Sequence, residues 1–329
     1  MDNFRSKIAV VTGGGAGMGR ELCVQLVKEG CAVATCDVMM DNLNETKALC
    51  NEVDSDIEVT LHQCDVSREV DVNRLRDEVT AAHGNAINLV FNNAGIGGGG
   101  TMTSEETRDE WERTFDVCWY GVYYTCRAFM PHVIASDEGW FVNTSSINGF
   151  WASIGPNTPH TAYSAAKFAV KGFTEALITD LRLHAPHVGA SVVMPGHIGT
   201  SIAINSGQIL GRSVPLEWSD DEVKEVRAGM MESSGTVAED VMNLSDDQIR
   251  EVMHQRQLDF RDKAPTSAAQ AAAIILNDVK AGRWRILVGD DAYRIDAKVR
   301  AKPENAYEHN FLESIFEDGD LGALVASTE

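Results

Sequence analysis

Basic residues are scarce in this chain. Lys and Arg total 28 against 49 Asp and Glu, a formal net charge of -21 over 329 residues. A surface of that sign repels polyanions, so neither nucleic acid nor an anionic membrane is expected as a partner. Cysteine pairs at metal or redox spacing are also missing. Cys23, Cys31, Cys36, Cys50, Cys64, Cys118 and Cys126 form no Cys-x-x-Cys, and their odd number builds no disulfide framework. Reduced, mostly buried thiols are expected instead. No histidine cluster points to a metal. His160 and His197 read as polar-rim or backbone-bonded residues, and His184 and His187 as surface residues. No apolar run reaches the length of a membrane span, and "MDNFRSKIAVVTGGG" contains no long apolar leader segment. A cytoplasmic location is the default expectation.

What is present is a chain long enough to bury a sizeable core. Short β-branched runs alternate with helical patterns. Strands are expected over residues 7–12, 31–38, 58–66, 87–95, 139–146, 189–196 and 283–289. Helices are expected over 17–30, 41–53, 68–83, 108–135, 162–184 and 267–282. The alternation predicts an α/β fold, a parallel sheet of about seven strands with helices on both faces. Between 201 and 264 the rhythm breaks. Acidic helical segments with Met230, Met231, Met242 and Met253 take over, and no clear strand is found. The reading is one domain over 1–329 with 201–264 inserted in it and a frayed tail at 317–329.

The stretch "VTGGGAGMGR" joins the first strand to the first helix. Gly13, Gly17 and Gly19, with Gly15 and Met18 in the same turn, suit a dinucleotide site. Glycines let the backbone turn sharply and approach a pyrophosphate at the positive end of the helix. The spacing is Gly-x-x-x-Gly-x-Gly rather than Gly-x-Gly-x-x-Gly. Asp37 ends the second strand. A carboxylate there accepts hydrogen bonds from ribose hydroxyls and repels a 2′-phosphate, and "DVMMDN" supplies no Arg. NAD is therefore expected over NADP.

Five motifs in order resemble the short-chain dehydrogenase/reductase family, in its ordinary branch of about 250 residues. They are "TGGGAGMG", "CDV" at 64–66, "NNAG" at 92–95, Ser146 with "YSAAK", and "PGHIGT" at 195–200. The resemblance implies a Rossmann-type sheet and a hydride transfer between a secondary alcohol or ketone and NAD. It also implies a homodimer or homotetramer joined through the two long helices. Asp65 and Val66 would border the adenine. Asn92, Ala94 and Gly95 would lie along the cofactor. Pro195, Gly196, Ile198 (through its backbone) and Thr200 would hold the nicotinamide end. Ser146, Tyr163 and Lys167 would carry the chemistry, with Ser145 as the second candidate for the serine.

Tyr163 and Lys167 lie one helical turn apart, so both point to one face. A tyrosine of ordinary pKa, about 10, is a poor base near neutral pH. A neighbouring ammonium, together with the charge of oxidised nicotinamide, favours the phenolate. Ser146 can hydrogen-bond the substrate oxygen and stabilise charge there. One position departs from the family pattern: the usual Asn of the long helix is Cys118, in "DVCWYG". The family's proton relay uses a water on that residue's carbonyl, which any residue offers. Cys118 itself reads as a packing cysteine. The resemblance makes the insertion a lid, and its methionines suit a bulky apolar or aromatic substrate. Phe150, Trp151, Trp119 and Trp218 could line the pocket, though singly each reads as core or interface. Two other readings stay open. One is an NADPH-linked 3-oxoacyl-type reductase. The other is a nucleotide-binding regulatory protein that has lost catalysis.

Overall fold

Ala9, Val10 and Val11 are all fully buried on β1 (Ile8–Thr12). Side chains along a strand alternate between faces, so a strand apolar at every position must be covered on both sides. Val10 packs into one core, Ala9 and Val11 into another. A computed structural model describes residues 1–155, 158–233, 243–308 and 310–316 of the chain. The expected tail at 317–329 lies outside the described residues, as do the side chains of Met230, Met231 and Met242.

The remaining strands are β2 (Ala32–Asp37), β3 (Val59–Gln63), β4 (Leu89–Asn92), β5 (Gly139–Thr144), β6 (Val188–Pro195), β7 (Ile198–Gly199), β8 (Thr266–Ser267) and β9 (Arg285–Val288). Seven form one parallel sheet in the order β3-β2-β1-β4-β5-β6-β9. The fold is the parallel α/β sheet that the alternation predicts, of the Rossmann type that the resemblance implies. The chain runs outward from β1 through β2 to β3, then returns to the opposite side of β1 as β4. A crevice opens at the carboxyl ends of the strands where the order reverses, and ligands bind there in open α/β sheets.

One face is covered by α1 (Gly17–Lys28) and α10 (Ala268–Lys280), with Leu22, Leu26, Ile275 and Val279 in the core. The other carries α3 (Glu69–His83), α5 (Gly121–Ile134) and α6 (Thr161–His184), through Leu75, Phe129 and Val170. Ser267 caps α10 with Gln270 in a reciprocal capping box. Helix α2 (Met40–Val53) lies between β2 and β3. All seven cysteines are free and buried.

Two findings depart from the expected elements. The helix expected over 108–135 is broken into α4 (Arg108–Phe115) and α5 by a π-turn at Asp116–Tyr120. One extra residue per turn defeats a strict 3.6 period, so the break has no periodic signature. Second, β7 and β8 pair in parallel, Ile198 with Thr266 and Gly199 with Ser267. They close the base of the insertion. Its described helices are α7 (Ile202–Ile209), α8 (Asp220–Ser233) and α9 (Asp246–Asp262).

Three of the aromatics offered as pocket walls have partners of their own. Trp151 is 1% exposed, stacks near Phe311 of α12 (Phe311–Phe316) and donates its indole N–H to the Ala306 carbonyl at 2.7 Å. It anchors the segment after α11 (Asp290–Ala301). Trp119 packs on Tyr123 and Phe173, and Trp218 donates to the Ser213 carbonyl. Among the described residues, no helix is long and apolar enough to cross a membrane.

Candidate active site

The glycine turn leaves β1 at Gly13, whose φ of 68° belongs to the left-handed region that only glycine adopts freely. A Cβ there would also lie 2.7 Å from the Ala94 Cα, so the turn and the "NNAG" segment are in direct backbone contact. Helix α1 then begins with no side-chain cap and no acidic residue in its first turn. Its first amides and its dipole are left for an anion. The open cleft beside it is lined by Gly13, Gly17, Met18, Asp37, Asp65 and Val66, and farther along by Ala94, Gly95 and Thr200. From the insertion, Ile202, Asn205 and Ile209 of α7 reach the same cleft. Backbone approach, open amides and a carboxylate at the far end form a donor set that fits a dinucleotide.

Asp37 is fixed by two backbone donors, Gly15 N–H at 3.0 Å and Met39 N–H at 3.1 Å. Burial nevertheless raises its pKa above the usual carboxylate value, against the lowering effect of those amides. Gly15 therefore holds Asp37 rather than lining the cleft. The one arginine of the turn, Arg20, is already committed. It binds the Gly15 carbonyl at 2.5 Å, the Thr46 hydroxyl at 3.1 Å and Glu45 at 2.8 Å. Gly19 sits beneath the turn, where a Cβ would overlap the Gly13 carbonyl oxygen.

Asp65 accepts from the Ser67 hydroxyl at 2.7 Å and pairs with Arg113 of α4 at 2.8 Å. Burial opposes ionisation, but Arg113 and Ser67 outweigh it and lower the pKa. Arg113 is a cleft residue that the sequence reading missed. A cation inside a helical pattern carries no local sign that it will meet an acid 48 residues away.

Asn92 departs from its expected place along the cofactor. Its amide turns into the core, to the Asn143 side chain at 2.8 Å and Cys126 Sγ at 3.1 Å. Asn93 takes the cleft side instead, with its Nδ2 3.2 Å from both the Thr12 and Gly13 carbonyls. Alternation at a strand end separates such a pair, and a period-two count from β4 would have found it.

The two candidate serines are distinguished by their partners. Ser145 is buried and donates to the Lys167 carbonyl at 2.7 Å, a bond that ties β5 to α6. Ser146 starts the short turn after β5, where its hydroxyl accepts the Asn148 N–H at 3.1 Å and lies near enough to the Tyr163 phenol to influence its ionisation. Lys167 is buried, with Nζ 5.3 Å from the centre of the Tyr163 ring and 2.9 Å from the Thr144 carbonyl it bonds. Cys118, at the middle of the π-turn, donates its thiol to the Ile96 carbonyl at 3.2 Å. A Cβ on Gly95 would lie 3.5 Å from Lys167 Nζ and 3.7 Å from Cys118 Sγ. Lys167 and Cys118 therefore meet beside Gly95, which lines the cleft, with Tyr163 and Ser146 next to them. Burial raises the Tyr163 phenol, with the Cys118 side chain adding to it, while Ser146 lowers it. Burial also lowers the Lys167 ammonium.

The "PGHIGT" segment follows β6. Gly196 has no room for a side chain because the Asp291 carboxylate occupies that space. Asp291 accepts the His197 N–H at 2.6 Å, and the His197 ring bonds the Phe260 carbonyl of α9 at 2.7 Å. His197 is thus backbone-bonded. Pro195 ends β6 and Ile198 opens β7, and Thr200 just beyond packs against Gly17, where an added Cβ would lie 3.0 Å from its methyl.

Residues 7–209 match the sequence model of the short chain dehydrogenases. This chain belongs to that family. It is an oxidoreductase with a nucleotide-binding Rossmann fold that uses NAD or NADP. The Mycobacterium tuberculosis protein SadH is 34% identical over 302 residues, 91% of this chain and 92% of that one. A short chain dehydrogenase/reductase from Burkholderia phymatum, solved in complex with NAD, is 27% identical with a TM-score of 0.70. That match covers 93% of this chain and 95% of the other. A metagenomic short-chain oxidoreductase solved with NADP is 29% identical with a TM-score of 0.52, over 59% and 83%.

Proposed function

We propose that the protein is an NAD(H)-dependent oxidoreductase that interconverts a secondary alcohol and a ketone, with Tyr163 as acid and base. The observation that carries this reading is the placing of Tyr163 and Lys167, with Ser146, beside Gly95 of a cleft that Asp37 also lines. In this reading the Gly13–Gly19 turn and the first amides of α1 hold the pyrophosphate. Asp37 takes the adenosine ribose, and Asp65 and Val66 border the adenine. Ala94 and Gly95 lie along the cofactor, while Ile198 and Thr200 hold its nicotinamide end. Bound there, the cofactor gives or accepts the hydride at the substrate carbon. Tyr163 exchanges the proton of the substrate oxygen, Ser146 hydrogen-bonds that oxygen, and Lys167 supplies positive charge. In the free site burial holds both Tyr163 and Lys167 towards their neutral forms. A positive charge bound beside them shifts the phenol towards phenolate.

Two observations favour NAD. The Asp37 carboxylate would face a 2′-phosphate, and Arg20 already gives its Nε and one terminal nitrogen to Thr46, to two carbonyls and to Glu45. The Burkholderia relative's complex with NAD supports the same choice. Initial rates with NADH and NADPH across small and aryl ketones test both parts. NADH is expected to win by roughly tenfold or more, given the cost of a close like-charge pair. A preference for NADPH removes the Asp37 argument. A bulky apolar or aromatic substrate is proposed because Ile202 and Ile209 of α7 reach the cleft. Equal turnover of small polar alcohols would remove that part. Residues 201–264 act as the lid within one domain in this proposal. The exposed Tyr120, stacked 5.5 Å from Tyr124 on the π-turn and α5, supports a homodimer or homotetramer.

The raised phenol gives a signed pH dependence. Oxidation needs Tyr163 ionised, so kcat/KM for the alcohol is expected to rise with pH through neutrality and onward towards the phenol's own pKa. Ketone reduction needs the protonated form, already dominant near neutrality, and is expected to stay level there and decline at higher pH. Parallel profiles in the two directions would show that another group titrates.

A further inference from the structure

His160 stands where a helix cap belongs and makes no cap. It is the N-cap residue of α6, a position that Ser, Thr, Asp or Asn fill by accepting a first-turn N–H, and its side chain makes no such bond. Its imidazole lies instead against Tyr163, with ring centres 4.9 Å apart and planes tilted by 38°. Among the described residues, neither of its ring nitrogens has a partner. His62, His83, His132, His184, His187 and His197 each place a ring nitrogen on a protein atom. Burial keeps the His160 ring neutral near pH 7, since it pushes the pKa down to about 4. A neutral imidazole offers one N–H donor and one acceptor. Its recorded contact is ring on ring with Tyr163, which leaves both nitrogens without a described partner beside the proposed acid/base. Such exceptions are expected where a ligand makes the missing contact.

We infer that His160 orients the substrate by hydrogen-bonding a second oxygen close to the reacting carbon, so that the substrate class is an oxygenated ketone or alcohol rather than a plain one. This rests on the proposed alcohol–ketone chemistry at Tyr163. The reacting oxygen is held by Tyr163 and Ser146, which fix a point but leave rotation about it. A contact from the side of the Tyr163 ring removes that rotation and selects the face presented for hydride transfer. A hydroxyl or ether oxygen on the neighbouring carbon can meet an imidazole N–H, and a hydroxyl can also donate to the bare nitrogen. The apolar or aromatic remainder stays with the insertion side of the cleft.

The test compares acetophenone with 2-hydroxyacetophenone, each with NADH, in the parent, His160→Phe and His160→Gln. The parent is expected to prefer the hydroxyketone in kcat/KM. In His160→Phe the hydroxyketone-to-ketone ratio should fall about tenfold or more, because a buried hydroxyl then faces carbon. His160→Gln should restore most of the ratio, since its amide also donates and accepts. A His160→Phe enzyme with the parent's ratio shows that the ring is only an apolar wall and overturns the inference. So does a fall in both substrates that leaves the ratio fixed. If the parent turns over neither ketone while binding NADH, the functional reading fails, and the inference with it.

Discussion

Tyr163→Phe is expected to lower kcat by about a thousandfold, within the range that positioned acid–base groups supply. NADH affinity should change far less. The substitution keeps the ring, which His160 and the Lys167 side chain both approach, and removes only the hydroxyl. Packing is therefore preserved, and the loss reads chemistry rather than folding. The measurement pairs initial rates with NADH fluorescence titration. A variant that binds NADH and reduces ketone at the parent rate would remove Tyr163 from the proposed role. The free-site electrostatics sharpen the expectation. Burial opposes charge on both Tyr163 and Lys167. A bound positive charge favours the phenolate, so substrate alone should not perturb the phenol.

How much of this could be read in advance depended on the range of the interaction. The glycine turn, Asp37 and the Tyr163–Lys167 spacing are local patterns, each set by neighbours within a strand end or a helical turn. Seven strands followed from apolar runs that a parallel sheet requires on both faces. The π-turn at Cys118 did not follow, because the residues on either side keep the same helical composition. Asn92 and Asn93 carry identical side chains, and only the strand's alternation sends one to the core and the other to Gly13. Arg113 meets Asp65, and Asp291 closes on Gly196 and His197, across the fold rather than along it. No spacing in the chain encodes those meetings. Trp151 shows the same limit from the opposite direction. It lies close to Ser146 in sequence, yet residues from the far end of the chain bury it.

Gly19→Ala is expected to weaken NADH binding by on the order of ten- to a hundredfold. Its methyl would overlap the Gly13 carbonyl oxygen and come 2.6 Å from the Asn93 amide nitrogen. Neither neighbour can yield easily. Gly13 is backbone in a left-handed turn, and Asn93 is the clamp that holds that turn through the Thr12 and Gly13 carbonyls. Helix α1 must move away from β1, and with it the amides aimed at the cleft. Overpacking of this kind costs about 1–3 kcal/mol. At about 1.4 kcal/mol per factor of ten, that corresponds to the stated loss if the strain falls on the bound state. Gly172→Ala is the matched control, made in the same residue type but with nothing within 4 Å of the added carbon. Gly172 lies exposed within α6, where alanine is expected to stabilise the helix by roughly 0.5–1 kcal/mol. Fluorescence titration and thermal unfolding on both variants separate the two effects. Equal NADH affinity in Gly19→Ala and the parent would mean that the turn can relax, and that close packing of α1 on Gly13 does not position the phosphate site.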